Sequence, residues 1–488
     1  MTIIGIRIVL EKEIIMIDKT EGKKAHEILD WILNFLKDNE NYDVLPNIEP
    51  GQIYNSQEKS APEEGNLLGN VFSDFENQVL PGITHWNHPG FSAYFNSSAT
   101  LPSVVAEMIS AAINTNTMLW KSSPAGTEIE QKTLEWLQEI LGLTGFTGIT
   151  YEGGSTSTFH GLAAMREAKL GPEYRKKGLI ALANSNPKIY ITDQTHNSIQ
   201  KALITLGFGT DSFRYVNVDA DFTMDTKHLV DLIKADRQKG YDPMCVVATL
   251  GSTSCTALDP VNKISEICQK EDLWLHIDAA HGGSAAVVDE IREKFTGWQN
   301  ADSIIINPHK WLFIPLDLSV LYVKDPGILK NAFHFSAEYL KTKQDDKIES
   351  YMDFGIPLGR RFRCLKLWFA LKYHGVNFYK QKIRQHLEYA QTVYSAIDDH
   401  PEFEIMSPQP LSTTCFRAIP NNPNADIDLY NEKLMDTINE TGDFFISHTK
   451  LKDKFVIRHV VSGVRIEKRH IENFISCLLN TKADLDSV

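Results

Sequence analysis

A lysine at the end of a predicted strand is the residue of this chain that points most directly to chemistry. Lys310 follows the apolar run of residues 303–306 and lies between His309 and Trp311. Burial disfavours the charged form of a lysine and lowers its pKa, and a neutral amine can form a Schiff base with an aldehyde. Taken alone, Lys310 is best interpreted as an ordinary solvated lysine, so the neighbouring strand ends decide its meaning.

Three further apolar runs also end in polar side chains. They span residues 188–192, 244–250 and 273–278, and segments with helical periodicity separate them. Near-continuous apolar strands that alternate with helices indicate a sheet buried on both faces, and ligands bind at the carboxyl ends of its strands. Each polar residue alone has an ordinary explanation, such as helix capping by an aspartate. Because they follow successive strands, we expect one site to contain His196, Thr253, Asp278, His309 and Lys310.

A glycine-rich and hydroxyl-rich turn at residues 153–158 opens a further predicted helix. The free N–H groups and the positive end of such a helix form a site for an anion. The turn matches neither the dinucleotide fingerprint nor the P-loop, which argues against a nicotinamide-dependent dehydrogenase. A phosphate cradle, an aldehyde-accepting lysine and a carboxylate for a pyridinium nitrogen are together what pyridoxal 5'-phosphate requires. The sequence therefore predicts pyridoxal phosphate as the cofactor.

Other segments of the chain, taken in order, match the pattern of one known family. They fall between about residue 65 and about residue 475 and include 80–86, 91–95, 123–128, 248–251, 274–280, 307–311, 356–363 and 454–458. On these segments the chain resembles the group II pyridoxal-phosphate decarboxylases, the family of aromatic-L-amino-acid decarboxylase. The motifs are specific for the family and say little about the substrate.

The resemblance implies a role for each matching residue. Lys310 would hold the cofactor as a Schiff base, Asp278 would keep the ring nitrogen protonated, and His196 would stack on the ring. Tyr339 falls where the family has a mobile catalytic loop, and it would reprotonate the substrate carbon. The other cofactor contacts that the resemblance implies are Gly154, Ser155, Thr253, Ala280, Asn307 and His309.

The resemblance also locates the substrate pocket, and here the chain departs from aromatic-specific relatives. Those relatives tend to have Pro-Thr in place of Asn96 and Ser97, and larger apolar or aromatic residues in place of Asn116 and Met118. The departures predict a pocket that is more polar or differently shaped. The predicted substrate-lining residues are Trp86, Tyr94, Phe95, Ser97, Met118 and Gly359.

The expected reaction is decarboxylation of an L-amino acid to the corresponding amine and CO2. An acidic substrate would need an arginine for its second carboxylate, and neither lining segment, 85–97 or 114–120, contains one. We therefore rank aromatic amino acids first, other neutral or polar amino acids second and acidic ones third. Two alternatives stay open. They are an oxidative reaction that yields an aldehyde, and a cofactor-binding protein without catalysis, although the latter predicts damage at Lys310, Asp278 or Tyr339 and all three are intact.

The resemblance implies an α/β fold of the aspartate aminotransferase type, known as fold type I. Its parts would be an N-terminal helical arm at residues 1–99, a large cofactor domain with a mainly parallel sheet at 100–373, and a small α/β domain at 374–488. The family pattern further implies a homodimer with the active site at the interface.

Composition narrows the remaining possibilities. A formal net charge of −14 argues against nucleic-acid binding. The six cysteines show no CxxC spacing, so we expect no metal site and reduced thiols, as in a cytoplasmic protein. Charged residues interrupt the apolar residues 1–15, so we expect no signal peptide, and no run is apolar enough to span a membrane.

Overall fold

A mostly parallel sheet occupies the centre of the large domain. The computed structural model describes residues 19–178, 185–335 and 348–487. Within this part of the chain, seven strands form the sheet in the order β1-β7-β6-β5-β4-β2-β3, and β7 runs antiparallel to both of its neighbours. The strands are β1 (Thr147–Tyr151), β2 (Pro187–Ile191), β3 (Phe213–Tyr215), β4 (Asp242–Thr249), β5 (Trp274–Asp278), β6 (Ser303–Ile306) and β7 (Ser319–Val323).

Helices cover both faces of this sheet, as its continuously apolar strands predict. The side chains of β4 alternate between two apolar cores: Val246 and Ala248 pack on one face, and Cys245 and Val247 pack on the other. The helices up to the end of this domain are α1 (Lys19–Lys37), α2 (Gln52–Ser56), α3 (Leu68–Asp74), α4 (Leu101–Ile113), α5 (Pro124–Ile140), α6 (Gly154–Leu170), α7 (Pro172–Lys177), α8 (Asn197–Thr205), α9 (Thr226–Gln238), α10 (Val261–Glu271), α11 (Asp289–Arg292) and α12 (Pro326–Phe333).

A smaller antiparallel sheet follows towards the carboxyl terminus, with the strand order β10-β11-β9-β8. The connecting helix begins at Cys364, and it is broken at Gly375, whose φ is 68°. A third apolar core lies between this sheet and the helices that cover it. The elements are α13 (Cys364–Asp398), β8 (Phe403–Ile405), β9 (Thr413–Ala418), α14 (Ile427–Glu440), β10 (Ser447–Leu451), β11 (Lys454–Val460) and α15 (Lys468–Asp486).

This architecture confirms the predicted fold class, an α/β cofactor domain followed by a small α/β domain and preceded by helices. The break at Gly375 lies two residues beyond the predicted boundary between residues 373 and 374, which we keep as a proposal together with the boundary at 99 and 100. No helix in the described part of the chain is long and apolar enough to cross a membrane.

The register of the central strands determines which side chains meet at the edge of the sheet. Thr249 lies opposite Asp278 across β4 and β5, and Asp278 lies opposite Ile305 across β5 and β6. Because these strands are parallel, the residues that follow each of them emerge on the same side of the molecule.

Candidate functional site

A cavity of about 260 Å³ opens at the carboxyl ends of β4, β5 and β6. Every residue predicted to contact the cofactor lines it, although the residues come from several distant segments of the chain. Those residues are Gly154, Ser155, His196, Thr253, Asp278, Ala280, Asn307, His309 and Lys310.

Lys310 and Asp278 supply the two charges at the centre of the cavity. Burial lowers the pKa of Lys310, which is the direction that its sequence position predicts; Asp278 opposes that shift and Arg458 adds to it. Asp278 is buried at the end of β5, and its carboxylate accepts the N–H of Ala280 at 3.1 Å. The amine is therefore easier to deprotonate than a free lysine and lies close to a fixed carboxylate.

The first turn of α6 forms the predicted anion cradle. No side chain caps this helix, so its first N–H groups face the cavity without a capping partner. A Cβ added to Gly154 would lie 2.6 Å from Nδ2 of Asn307, so only glycine allows this approach. Asn307 Oδ1 accepts the hydroxyl of Ser319 at 2.6 Å, which turns the amide Nδ2 towards the turn as a donor.

His196 lies at the edge of the cavity as the residue that caps α8. Its Nδ1 accepts the N–H of Ser198 at 3.3 Å and lies 2.7 Å from the hydroxyl of the same residue. These contacts fix the plane of the ring, while the residue stays exposed and able to stack on a planar ligand. Burial lowers the pKa of His196, and Asp278 opposes the shift.

His309 is held by its neighbours on both sides. Its Nδ1 accepts the N–H of Leu318 at 3.1 Å, and its carbonyl accepts the hydroxyl of Ser97 at 2.8 Å. Burial, followed by the positive charge of Lys310, lowers the pKa of His309 to about 3, so the ring is neutral at pH 7.

Phe95 is the predicted substrate residue that lines the cavity. The centroid of its ring lies 5.4 Å from Lys310 Nζ and 5.3 Å from the guanidinium carbon of Arg458. It also stacks on His281 at 3.7 Å, and His281 stacks in turn on Trp311 at 4.6 Å. This stack holds the ring beside Lys310.

Arg458 and His281 have no predicted role, yet both belong to this site. The sequence offers a signal for each, because Arg458 closes a segment that resembles the family and His281 follows Asp278 by three residues. Arg458 is buried and donates to the carbonyl of Ala93 at 2.7 Å. Glu152, the residue before the glycine-rich turn of residues 153–158, which we name the phosphate turn, is a further cavity residue without a predicted role.

The other predicted substrate residues do not line this cavity in the described part of the chain. Trp86 and Tyr94 are 38% and 47% exposed and stack on each other at 6.0 Å. Ser97 reaches the site only through the carbonyl of His309. Tyr339, the predicted proton donor, lies outside the described residues.

Met118 and Gly359 belong to a separate group that we name the recognition unit, residues 116–118 and 352–360. Met352 donates its N–H to the carbonyl of Met118 at 2.8 Å, and Thr117 donates to the carbonyl of Arg360 at 2.9 Å. Gly359 is exposed, and a Cβ added to it would contact only the amide of Asn116 within 4 Å. The recognition unit is therefore a hydrogen-bonded assembly with an open surface.

The two asparagines that distinguish this chain are both engaged by its own backbone. Asn96 is buried and donates from Nδ2 to the carbonyl of Trp86 at 2.7 Å. The Oδ1 atom of Asn116 accepts the N–H groups of Met118 and Arg360 at 3.1 and 3.0 Å. The structure therefore gives these amides an internal role, which weakens the expectation that they make the pocket polar.

The residues present fit pyridoxal phosphate. The phosphate group needs hydrogen-bond donors, which the uncapped turn and the Asn307 amide supply. The Asn307 amide lies so close to Gly154 that a Cβ there would not fit. The aldehyde needs an amine of lowered pKa, which Lys310 supplies, and the ring nitrogen needs a buried carboxylate, which Asp278 supplies.

Comparisons with known sequences agree with this fit. Residues 50–419 match the pyridoxal-dependent decarboxylase conserved domain. The chain is 34% identical to "Tryptophan decarboxylase 2" of Oryza sativa subsp. japonica, covering 92% of this chain and 91% of that one. It is 34% identical to "Aromatic-L-amino-acid decarboxylase" of Cavia porcellus, with coverage of 92% and 95%. It is also 32% identical to "Phenylacetaldehyde synthase" of a Rosa hybrid cultivar, with coverage of 92% and 91%.

The fold is likewise similar to that of a solved structure. The crystal structure of Oryza sativa TDC with PLP and tryptamine superposes with a TM-score of 0.91 at 30% identity, and the match covers 96% of this chain and 99% of that one.

Proposed function

The chain belongs to the family of pyridoxal-dependent decarboxylases, and we propose that it decarboxylates an aromatic L-amino acid to the corresponding amine and CO2. Membership makes it a carboxy-lyase that uses pyridoxal phosphate. The identity of the substrate is our proposal, and it goes beyond family membership.

The residues of the cavity divide the work of this reaction. When bound, pyridoxal phosphate withdraws electrons from the substrate carbon so that its bond to the carboxylate can break. Lys310 is the amine that would hold the cofactor, and the Asp278 carboxylate would keep a proton on the ring nitrogen. His196 would cover one face of the ring. The turn at Gly154 would bind the phosphate through N–H groups that are already oriented, so no reorganisation is needed during the reaction.

The observation that carries the aromatic assignment is the internal bonding of Asn96 and Asn116. With those amides donating to and accepting from backbone groups, Phe95 remains as the wall of the cavity next to Lys310. Two relatives with 34% identity are named for tryptophan or aromatic amino-acid decarboxylation. An acidic substrate finds little support, because Arg458 already donates to the carbonyls of Ala93 and Ser254.

We further propose that the enzyme is a homodimer and that each recognition unit serves the active site of the partner subunit. Met118 and Gly359, predicted to contact the substrate, do not line the cavity of their own chain among the described residues. An interface near the recognition unit would also cover several apolar side chains that are exposed in the single chain. Among them are Leu101 at 44%, Met108 at 41%, Ile113 at 60% and Ile356 at 68% exposure.

A cytoplasmic location remains part of the proposal. The six cysteines, all within the described residues, are unpaired, and five of them are buried in apolar surroundings. Reduced thiols of this kind are typical of proteins in a reducing compartment.

A second reaction deserves a direct test because one relative is named for aldehyde formation. Tyr339 favours the amine, since the family places a proton-donating tyrosine at the corresponding position. If that proton is not delivered, the substrate carbon stays electron-rich and can pass two electrons to O2, which becomes hydrogen peroxide. Hydrolysis then releases the aldehyde and ammonia.

The deciding experiment is mass spectrometry of the products. The purified protein is incubated with pyridoxal phosphate and single amino acids, including dopa, 5-hydroxytryptophan and non-aromatic amino acids, and Lys310→Ala serves as the control. Amine from an aromatic substrate supports the proposal. Amine from a non-aromatic substrate alone refutes the aromatic assignment, and aldehyde accompanied by hydrogen peroxide supports the second reaction.

A further inference from the structure

Two aromatic side chains beside the phosphate turn hold the backbone of the recognition unit. Tyr151 ends β1 and His160 lies in α6, so they flank the turn in the sequence. Their rings stack with centroids 4.3 Å apart and planes inclined by 15°. The Tyr151 hydroxyl donates to the carbonyl of Phe354, and Nε2 of His160 lies 3.2 Å from the N–H of Ile356. Two peptide groups of the unit are thus bound by one stacked pair.

The partners of His160 dictate its tautomer. The backbone N–H of Ile356 is a donor, so Nε2 must accept and carries no proton. The proton is therefore on Nδ1, which donates to the carbonyl of Thr156 at 2.7 Å. Burial lowers the pKa of His160 to about 4, so the ring is neutral at pH 7. One imidazole thereby connects the first turn of α6 with the backbone at residue 356.

There is no free space in this contact. His160 and Tyr151 are 1% and 4% exposed. A Cβ added to Gly355 would lie 2.8 Å from Nε2 of His160 and 3.3 Å from the Tyr151 ring, so the backbone lies directly against both side chains. A displacement of the turn must therefore displace residues 354–356 as well.

The displaced segment carries the predicted substrate contacts. Residues 354–356 continue into Gly359 and Arg360, and the backbone of Arg360 is bonded to Asn116 and Thr117. Arg360 also attaches the unit to α5, because its guanidinium pairs with the buried carboxylate of Glu130 at 2.6 Å.

We propose that His160 is a positioning residue, which transmits the position of the phosphate turn to the recognition unit and so couples cofactor binding to the placement of Met118 and Gly359. This inference rests on the proposed function and adds to it the physical link between the cofactor site of one subunit and the residues that this subunit presents to the active site of its partner. His160 itself does not line the cavity among the described residues and need not contact either ligand.

The first test is hydrogen exchange of residues 351–360 with and without pyridoxal 5'-phosphate. In the wild-type protein the cofactor slows exchange in this segment. In His160→Phe, which keeps an aromatic ring but removes the acceptor, exchange is faster by roughly 2–10-fold, the effect of one hydrogen bond. The cofactor then no longer slows it. His160→Gln, whose side-chain carbonyl can accept the Ile356 N–H, recovers part of the protection.

The second test separates the kinetic constants. In His160→Phe the KM for the aromatic amino acid rises by roughly 2–10-fold, because the recognition unit is displaced, while kcat changes less. The dissociation constant of pyridoxal phosphate, measured from the absorbance of the bound cofactor, stays within about threefold, because the turn itself is intact.

A matched control is His459→Phe in the small domain. His459 is also buried, has a pKa that burial lowers to about 3, and stacks on Phe474 at 4.0 Å. Its replacement removes an equivalent buried imidazole and leaves exchange at 351–360 unchanged. Should His160→Phe fail to fold, His160→Ala decides the question, because it also removes the acceptor of the Ile356 N–H and must speed exchange there.

The proposal is overturned if His160→Phe, or His160→Ala in its place, keeps wild-type exchange and wild-type KM. It is also overturned if kcat and cofactor affinity fall together while exchange at 351–360 stays the same, which is the pattern of a general structural defect. A wild-type protein that forms no amine would refute the proposed function instead. The response of exchange to the cofactor would still decide whether the link exists.

Discussion

The cofactor cavity and the recognition unit are held in place by different means. The cavity residues follow strands of one sheet, and the pairing of β4 with β5 fixes Thr249 opposite Asp278. The recognition unit has little regular structure of its own and is held by side chains that reach it from other elements, namely Tyr151, His160 and Glu130. The sheet therefore positions the general chemistry, while a few side-chain contacts position the residues expected to select the substrate.

The difference predicts different consequences of mutation. A change in the cavity should remove the reaction and leave the fold intact. A change in the anchors of the recognition unit should alter stability and substrate binding and leave the chemistry in place.

The largest effect should come from Lys310→Ala, which removes the amine that we propose holds the cofactor. We expect product formation to fall by about 10³-fold or more, with thermal unfolding almost unchanged. Lys169→Ala is the control, because Lys169 pairs with Asp272 at the opposite edge of the sheet. Rates measured by amine formation that stay above about 1% of wild type in Lys310→Ala would contradict the assignment.

The next largest effect should come from Arg360→Met. Arg360 pairs with Glu130 at 2.6 Å, and both side chains are buried, so the substitution leaves a buried carboxylate without its partner. Such losses typically cost about 3–5 kcal/mol. We expect a clearly lower thermal unfolding midpoint and a raised substrate KM.

Arg361→Met is the matched control for that variant. Arg361 pairs with Glu107, but its side chain is 54% exposed, and exposed pairs contribute about 0–1 kcal/mol. Equal shifts of the unfolding midpoint in the two variants would mean that the buried pair does not anchor the recognition unit.

Replacing Gly355 with alanine should have an intermediate effect on stability and on the substrate KM. The backbone there is extended, with φ −174°, so alanine costs nothing in conformation, but its Cβ would meet His160 at 2.8 Å. Overpacking of this kind typically costs about 1–3 kcal/mol. Gly355→Ala should raise the KM in the wild-type background and have little effect in His160→Ala, where space is available.

A double-mutant cycle measures that dependence. Gly65→Ala is the control, since a Cβ at Gly65 meets nothing within 4 Å. Strictly additive effects of Gly355→Ala and His160→Ala would show that the two residues do not act on each other.

Lowering the pH should reduce the stability of the fold through one buried histidine in each region. The pKa values of His309, about 3, and His160, about 4, are lowered by burial below the ordinary value of 6.5, so each contributes stability that is complete above pH 6.5. As the pH falls from 6.5 towards 4, the unfolded chain takes up protons that the folded chain does not. Each histidine then lowers the free energy of unfolding by up to about 1.4 kcal/mol per pH unit.

The measurement is the thermal unfolding midpoint between pH 7 and pH 5, where most carboxylates remain ionised. We expect the midpoint to fall with the pH, and His160→Gln should show a shallower slope than the wild type. An unfolding midpoint independent of pH in this range would contradict the neutral state of these rings.

The smallest effect should come from Ser97→Ala. The hydroxyl donates to the carbonyl of His309 at 2.8 Å, and a hydrogen bond of this kind contributes about 0.5–1.5 kcal/mol. The substrate KM should therefore rise by no more than about tenfold, with kcat nearly constant. A larger loss, seen in the same steady-state assay, would indicate that Ser97 contacts the substrate directly.

Much of the cofactor cavity could be predicted because its residues stand at strand ends. Asp278 and Lys310 follow apolar runs whose burial and direction the sequence reveals, and parallel strands bring their ends to one edge. Arg458 could not be found in this way, because its hydrogen bond to Ala93 joins segments that are far apart in the chain. His281 follows the end of β5 by three residues, and only its stacking against Phe95 depends on the fold.

The substrate residues were harder to interpret from their type. Asn96 and Asn116 look like polar pocket residues in the sequence, but their amides bind the backbone of Trp86 and Met118. A side chain has the same chemistry whether it faces a ligand or a peptide group, and only the fold decides which it meets. The role of Tyr339 and the domain boundaries remain predictions.

The sequence by itself determined the apolar strands with polar ends and the cofactor, because apolar runs, the glycine-rich turn and the residues around Lys310 and Asp278 are readable from local segments; its resemblance to one family added the fold type and the family. Only the tertiary structure decided that residues 116–118 and 352–360 form one unit and that His160 connects it to the phosphate turn. Close packing sets the distances between these segments, and those distances cannot be found in any local sequence pattern.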